Sequence, residues 1–253
     1  MKPADGNVRV LVTRPKHQQS SFLSLCDKAG FETLSLPCID ILPVEADFKR
    51  HLIDETDLII FTSRNAVDFA NNLFPLPWRG ASVYAIGRAT ERALKKFGQP
   101  VIAPPQPPFD SEAFISWYKT KPSPGRVLII KGIGGRDLIE TTLVNNGVLV
   151  DVKAVYKRVT PVVSDAERVR IFKESPPNVI SVTSDDVLRN LVNIAGSEYA
   201  NVLHSTPLVV NSSRCANLAI RLGFDHQPIV ANPPGDEGQL VAISALIEQY
   251  GVF

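Results

Sequence analysis

At 253 residues the chain can form one large domain or two of roughly 120 residues, each able to bury a core. Its 44% hydrophobic and 21% charged residues are an ordinary globular balance, and a formal net charge of +1 argues against a broad nucleic-acid face, which needs clustered Lys and Arg. No apolar run is long enough to span a bilayer, and the N-terminus from Met1 to Asp5 has no signal-peptide core, so a cytoplasmic setting without membrane or nucleic-acid contact is expected.

The first element is a buried-strand pattern over residues 8–13 that ends on Arg14. Pro15 suits the first turn of a helix, where its missing N–H costs nothing, and Phe22, Leu23, Leu25 and Cys26 then recur at helical spacing. Gly30 follows, with a second strand entered at Phe31. A connector over 37–48, containing Ile39 and Pro43, reads as an extended crossing. The run Leu58 to Phe61 predicts a strand closing on Thr62 and Ser63, before a helix over 64–73. A strand over 82–86 leads through Gly87 to a helix over 88–97, with Gly98 as its C-terminal cap. The proline-rich segment 104–111 is a rigid loop, and Ser111 and Glu112 open a helix over 112–119.

The pattern then repeats. Val127 to Ile130 is an apolar run ending on Lys131, and Gly147 stands as far beyond Lys131 as Gly30 does beyond Arg14. A second connector, 153–165, carries Tyr156 and Pro161. Val179 to Val182 again closes on a Thr-Ser pair, Thr183 and Ser184. Leu208 leads through Ser212 and Ser213 to Gly223 at the spacing that joins Val83 through Gly87 to Gly98. The order is a-b-c-a-b-c, two homologous halves of strands alternating with helices, hence parallel sheets covered on both faces. The repeat leaves two topologies open, a-b-c twice or a nested form with the first a unit beside the second b and c. Matching connectors after each a unit favour the nested form.

Ser and Thr at a strand-to-helix junction ordinarily cap the helix. The same dipeptide at matching places in two halves points further, to anion binding by free N–H groups at the carboxyl edges of the strands. Arg14 and Lys131, at equivalent strand ends, suggest carboxylate recognition. Gly132 to Gly135 is either a plain tight turn or one where backbone amides approach a ligand; it matches no nucleotide motif. Tyr156 could donate a proton into a cleft or simply pack. Asp185 and Asp186 suit the helix dipole. Cys26, Cys38 and Cys215 lack CxxC spacing and read as small buried residues. His17, His51, His204 and His226 lack partners at ligand spacing, so no metal is expected.

Val12 to Pro15, Phe61 to Val67, Ala85 to Gly87 with Thr90, Ser111-Glu112, Lys131-Gly132 with Gly135 to Asp137, Tyr156 with Arg158, and Val182 to Ser184 together resemble the uroporphyrinogen-III synthase family over essentially the whole chain. The resemblance implies an α/β fold of two similar flavodoxin-like parallel-sheet domains joined by a two-stranded linker. One is discontinuous (1–36 and 166–253) and the other spans 49–152, with linkers 37–48 and 153–165. It implies a monomeric lyase that needs no cofactor and closes linear hydroxymethylbilane to uroporphyrinogen III, with loss of water and inversion of ring D through a spiro intermediate. A transient contact with the preceding pathway enzyme is part of that picture. Tyr156 is the expected proton donor. Arg14, Thr62, Ser63, Gly87, Ser111, Glu112, Lys131, Gly132, Thr183, Ser184, Ser212 and Ser213 are the expected substrate contacts. Lys131 departs from the arginine frequent in the family, a point charge in place of a fork. The alternative readings are a two-lobed cytoplasmic binding protein for a small polyanion and a pair of receiver domains. The latter would need a phospho-acceptor Asp where Arg14, Ser63, Lys131 and Ser184 stand.

Overall fold

The computed structural model describes residues 8–45, 49–104 and 106–250; the first seven residues, the last part of the 37–48 connector, Pro105 and the final three residues lie outside the described residues. Among these, the strands are β1 (Arg9–Val12), β2 (Glu32–Ser35), β3 (Asp40–Pro43), β4 (Leu58–Phe61), β5 (Ser82–Ala85), β6 (Arg126–Gly132), β7 (Leu149–Val159), β8 (Val179–Val182), β9 (Leu208–Val210) and β10 (Ile229–Val230). The helices are α1 (Ser20–Lys28), α2 (Arg50–Asp54), α3 (Arg64–Leu73), α4 (Arg88–Lys96), α5 (Ser111–Tyr118), α6 (Leu138–Asn145), α7 (Asp165–Val169), α8 (Asp185–Ala195), α9 (Ala200–Ser205), α10 (Ser213–Arg221) and α11 (Asp236–Tyr250). The chain divides into two compact units, Met1–Asp40 with Val159–Phe253 and Ile41–Arg158.

In unit 1 the strand order is β10-β9-β8-β1-β2, with every neighbouring pair parallel. The nested topology is therefore the one found: Val10 of the first a unit faces Val179 of the second b unit. Numbered along the chain this sheet reads 2-1-3-4-5, the flavodoxin-like order. In unit 2 the order is β3-β7-β6-β4-β5, and the β7-β6, β6-β4 and β4-β5 pairs are parallel. Here β6 and β7 fill the places of β1 and β2 although they come last in the unit. The wiring is that of unit 1, opened at a different point.

Side chains alternate across a strand, so a continuous apolar run serves two cores at once. In β4, Ile59 and Phe61 join Val83, Leu128, Ile130 and residues of α3 and α4 in one cluster; Leu58 and Ile60 join Tyr84, Val127, Ile129, Phe114 and Leu143 in another. In unit 1, Val10 and Val12 pack with Phe22 and Cys26 of α1 and with Ile243 and Leu246 of α11. Phe22 and Cys26 are one turn apart and mark the buried face of α1. Gly98 ends α4 with φ of 71°, a left-handed conformation that glycine adopts without the Cβ penalty.

Two sequence expectations are corrected. Pro15 does not begin α1: it precedes a short 3-10 turn over Lys16–Gln18, and α1 begins at Ser20. Gln19 separates the two, buried, donating from Nε2 to the Arg14 carbonyl at 2.8 Å and accepting from the Ser35 hydroxyl at 2.7 Å. The cap of α5 is Asp110, which accepts from the Ala113 N–H at 2.9 Å, so Ser111 is the first helical residue. The connectors are extended, as β3 at the edge of the second sheet and as the end of β7, and the boundaries between the two units fall within them.

Candidate functional site

A cavity of about 270 Å³ opens at the carboxyl ends of β4 and β6 in unit 2. After β6 the chain turns to β7 on one side; after β4 it turns to β5 on the other. Diverging connections leave a crevice at that switch point, which is where open α/β sheets bind ligands. Of the residues singled out from sequence, Thr62, Ser63, Ser111, Lys131, Gly132 and Tyr156 line it.

Ser63 is the N-cap of α3, its Oγ accepting from the Ala66 N–H at 3.1 Å. The same Oγ lies 3.0 Å from the Tyr156 hydroxyl. Thr62 donates from Oγ1 to the Ile130 carbonyl at 3.3 Å, tying β4 to β6 beside the cavity. The Tyr156 ring is buried, stacked on Phe69 at 5.8 Å, and lies flat against the backbone of Gly132. A Cβ at Gly132 would stand 2.5 Å from its Cζ, so only glycine admits the ring. The loop that follows reaches α6 through Gly134 and Gly135, both in the left-handed region at φ of 79° and 89°.

Lys131 reaches Asp137 at 2.9 Å, and Arg136, on the cavity wall, pairs with Glu112 at 2.7 Å. Glu112 therefore acts on the site through Arg136, being itself off the lining. Gly87 is the N-cap of α4, beside the lining residue Ile86. Next to it Arg88 lies over the Phe109 ring at 5.1 Å and bonds Glu91. Hydrogen bonds from Lys95 and then Arg88 hold the Glu91 carboxyl below the usual carboxylate range. Phe109, Asp110, Glu140 and Arg158 also line the cavity and were not singled out as contacts. Arg158 donates from Nη2 to the Tyr156 hydroxyl at 3.3 Å. Its place two residues beyond Tyr156 in a strand, hence on the same face, was a readable signal.

The other candidates belong to unit 1. Ser184 and Ser212 cap α8 and α10, accepting from the Val187 and Cys215 N–H groups at 3.3 and 3.2 Å. Thr183 precedes the first of these caps and Ser213 opens α10 after the second. Arg14 is not a solvated strand-end charge: it is 6% exposed, sits over the Phe22 ring at 4.3 Å and pairs through Nη1 with Asp236 of α11. Its Nε and Nη2 are buried and have no hydrogen-bond partner among the described residues. Asp185 pairs with Arg214 at 2.9 Å.

The three cysteines are free and buried. Burial pushes the Cys26 thiol up to about 11 and the Cys215 thiol up to about 12, and raises Cys38 as well. Among the described residues no group of three or more His, Cys, Asp or Glu side chains is placed to hold a metal, and no helix is long and apolar enough to cross a membrane.

Residues 20–237 match the model of the family described as uroporphyrinogen-III synthase HemD. The chain is 30% identical over 239 residues to the uroporphyrinogen-III synthase of Escherichia coli K12, covering 90% of this chain and 96% of that one. It is 29% identical over 238 residues to the enzyme of Salmonella typhimurium, with the same shares covered. Among solved structures, uroporphyrinogen-III synthetase from Helicobacter pylori superposes with a TM-score of 0.65 at 16% identity, over 94% of this chain and 99% of that chain. A mutant uroporphyrinogen III synthase from Thermus thermophilus gives 0.60 at 19% identity, over 96% and 99%. At these identities the two structures establish the fold.

Proposed function

The chain belongs to the uroporphyrinogen-III synthase family of cyclising lyases in tetrapyrrole biosynthesis, and we propose that it closes linear hydroxymethylbilane to uroporphyrinogen III, inverting ring D, with the unit 2 cavity as the place where the terminal hydroxyl departs. The observation that carries this reading is the meeting, on one cavity at a sheet switch point, of a phenol, a capped helix N-terminus and a glycine loop after a lysine. Tyr156 is the proton donor: its O–H proton passes to the hydroxymethyl oxygen as the carbon–oxygen bond breaks, water leaves, and the carbon is left as an electron-poor azafulvenium. Ring D must then be held so that its substituted carbon, not its free position, is attacked. That is a task of orientation, and a displacement of about 1 Å in such a site costs on the order of 10²-fold in rate.

The substrate is a polycarboxylate and the chain is nearly neutral. Recognition rests on Lys131, the amides of the Gly132–Gly135 loop, the hydroxyl of Ser111, and the starts of α3 after Thr62 and Ser63 and of α4 at Gly87, with Arg136 held ready by Glu112. In unit 1, Arg14 and the starts of α8 and α10 at Thr183, Ser184, Ser212 and Ser213 are matching anion contacts. The work is spread over many groups. No single alanine substitution is expected to cost more than about 4 kcal/mol of transition-state stabilisation. The deciding experiment supplies enzymatically made hydroxymethylbilane and separates the type I and type III isomers of the product; an isomer ratio equal to that of unassisted closure removes the reading.

A further inference from the structure

We propose that Arg158 is a positioning residue for the Tyr156 phenol, one that fixes the direction of the O–H and balances the charge left on oxygen when the proton is given up. The inference rests on the reading of Tyr156 as proton donor and adds to it the group that makes a buried tyrosine usable as an acid.

A guanidinium has donors only, so the Arg158 Nη2 contact at 3.3 Å is received by a lone pair of the phenol oxygen. Ser63 Oγ stands 3.0 Å away on the same oxygen and already accepts from the Ala66 N–H. The contact can run either way, and the proposal assigns the serine proton to the phenol oxygen, making Ser63 its donor. Two donors then converge on the phenol oxygen, and its own proton is left to point into the cavity that the ring lines. The ring cannot rotate out of this arrangement, being buried between Phe69 and the Gly132 backbone. When the O–H bond breaks, the electron pair stays on the phenol oxygen, and the two donors that oriented it become the partners of a phenoxide.

Among the three cations on the cavity wall, Arg158 is the one left for this role. Lys131 is engaged by Asp137 and Arg136 by Glu112. Among the described residues Arg158 faces no carboxylate within ion-pair distance; its contacts are the Tyr156 hydroxyl and, at 5.6 Å, the ring of the same tyrosine. Tyr156 and Arg158 are alternate residues of β7, so one strand face delivers both.

The test is a double-mutant cycle on the full chain, with steady-state formation of type III product from hydroxymethylbilane as readout. Tyr156→Phe, Arg158→Met and Arg158→Lys are made singly, and Tyr156→Phe is combined with Arg158→Met. The expected result is that Arg158→Met lowers kcat about 10- to 100-fold with KM within about threefold, and that Arg158→Lys recovers part of the loss through its point charge. In the Tyr156→Phe background the same change should cost less than about threefold. Three results would overturn the proposal. A raised KM with kcat intact makes Arg158 a plain substrate contact. An undiminished kcat loss in the Tyr156→Phe background shows that it does not act through the phenol, with the donor reading still standing. A native kcat for Tyr156→Phe removes the donor reading itself, and this inference with it. An unchanged urea midpoint in both Arg158 variants separates each outcome from misfolding.

Discussion

Replacing Gly132 by alanine places one methyl group against the ring of Tyr156, and the size of the effect follows from distances. The added Cβ would lie 2.5 Å from Cζ, 2.6 Å from Cε2 and 2.9 Å from the hydroxyl oxygen, whereas ordinary contact begins near 3.4 Å. The ring must retreat by about 1 Å, or β6 must shift at its irregularity between Lys131 and Gly132. A retreat is resisted by Phe69 behind the ring and by the core around it. Overpacking of this kind costs about 1–3 kcal/mol. The alanine also restricts the unfolded chain, which offsets about 0.5–1 kcal/mol. A net destabilisation of about 0.5–2 kcal/mol remains, a fall of a few tenths to about 1 M in urea midpoint for a slope of about 2 kcal/mol per M. The assay is specific, because both tryptophans of the chain, Trp78 and Trp117, belong to unit 2, so their fluorescence follows that unit. A 1 Å retreat also takes the phenol from 3.0 Å to about 4 Å from Ser63, beyond hydrogen-bond range, and kcat for the type III isomer should fall on the order of 10²-fold. In a Tyr156→Ala background, itself destabilised by loss of the buried ring, Gly132→Ala should cost no further stability. A Gly132→Ala protein with native midpoint and native turnover refutes the reasoning.

Ser63→Ala and Ser184→Ala each remove one helix cap, so each should destabilise its own unit by about 1 kcal/mol in urea melts, while the kcat loss that comes from a misdirected phenol should follow Ser63 alone. Asp236→Ala strips the carboxylate from the 6%-exposed Arg14, and unit 1 should lose about 2 kcal/mol, less than the 3–5 kcal/mol of a fully buried pair because the Asp236 side chain is 29% exposed. The loss should appear in far-UV circular dichroism and not in tryptophan fluorescence. The thiols give a pH dependence with a definite sign. Burial raises them above the ordinary thiol value, Cys26 to about 11 and Cys215 to about 12, so the unfolded chain releases protons that the native protein keeps. Stability is complete below about pH 9 and falls above it, to about pH 11 for Cys26 and about pH 12 for Cys215, by up to about 1.4 kcal/mol per pH unit for each thiol. Native protein at pH 8 should accordingly leave a thiol reagent unreacted until denaturant is added; three thiols titrating without denaturant would contradict the burial.

Where the sequence carries a continuous apolar run bounded by hydroxyls, the structure follows it closely. The predicted strand over 58–61 and helix over 64–73 are β4 and α3, since a buried parallel strand and a serine cap both leave local marks. The nested pairing was suggested by the two connectors and is explicit in the registers of β1 and β8. What stayed hidden depended on side chains far apart in the chain. Nothing local says that Gln19 will bond the Arg14 carbonyl and Ser35 and so hold a 3-10 turn ahead of α1. Asp110 and Ser111 are both good caps, and only the packed loop chooses between them. The end of β7 reads as an extended connector, but nothing in Lys153, Lys157 and Arg158 says that Val155 and Tyr156 between them are core residues. The polar wall of the cavity, Asp110 and Glu140 among it, is assembled by the fold from segments that carry no shared motif.

The duplication supplies its own control on which groups do chemistry. Arg9 pairs with Glu32 in unit 1 as Arg126 pairs with Leu149 in unit 2, and counting on along β1 and β6 places Arg14 at the position of Lys131 and Pro15 at that of Gly132. Ser184 matches Ser63, and each caps its helix. The two copies thus share a cation beside a capped helix, the parts that an anion needs. They differ at the next position, where unit 1 has a proline and unit 2 the glycine that admits the Tyr156 ring. On the proposed reading, anion contact is common to both units and the proton donor belongs to unit 2 alone. Arg14 fits this division. With Nη1 held by Asp236, its remaining edge of Nε and Nη2 is the fork that pairs a carboxylate bidentately, and among the described residues that edge has no hydrogen-bond partner.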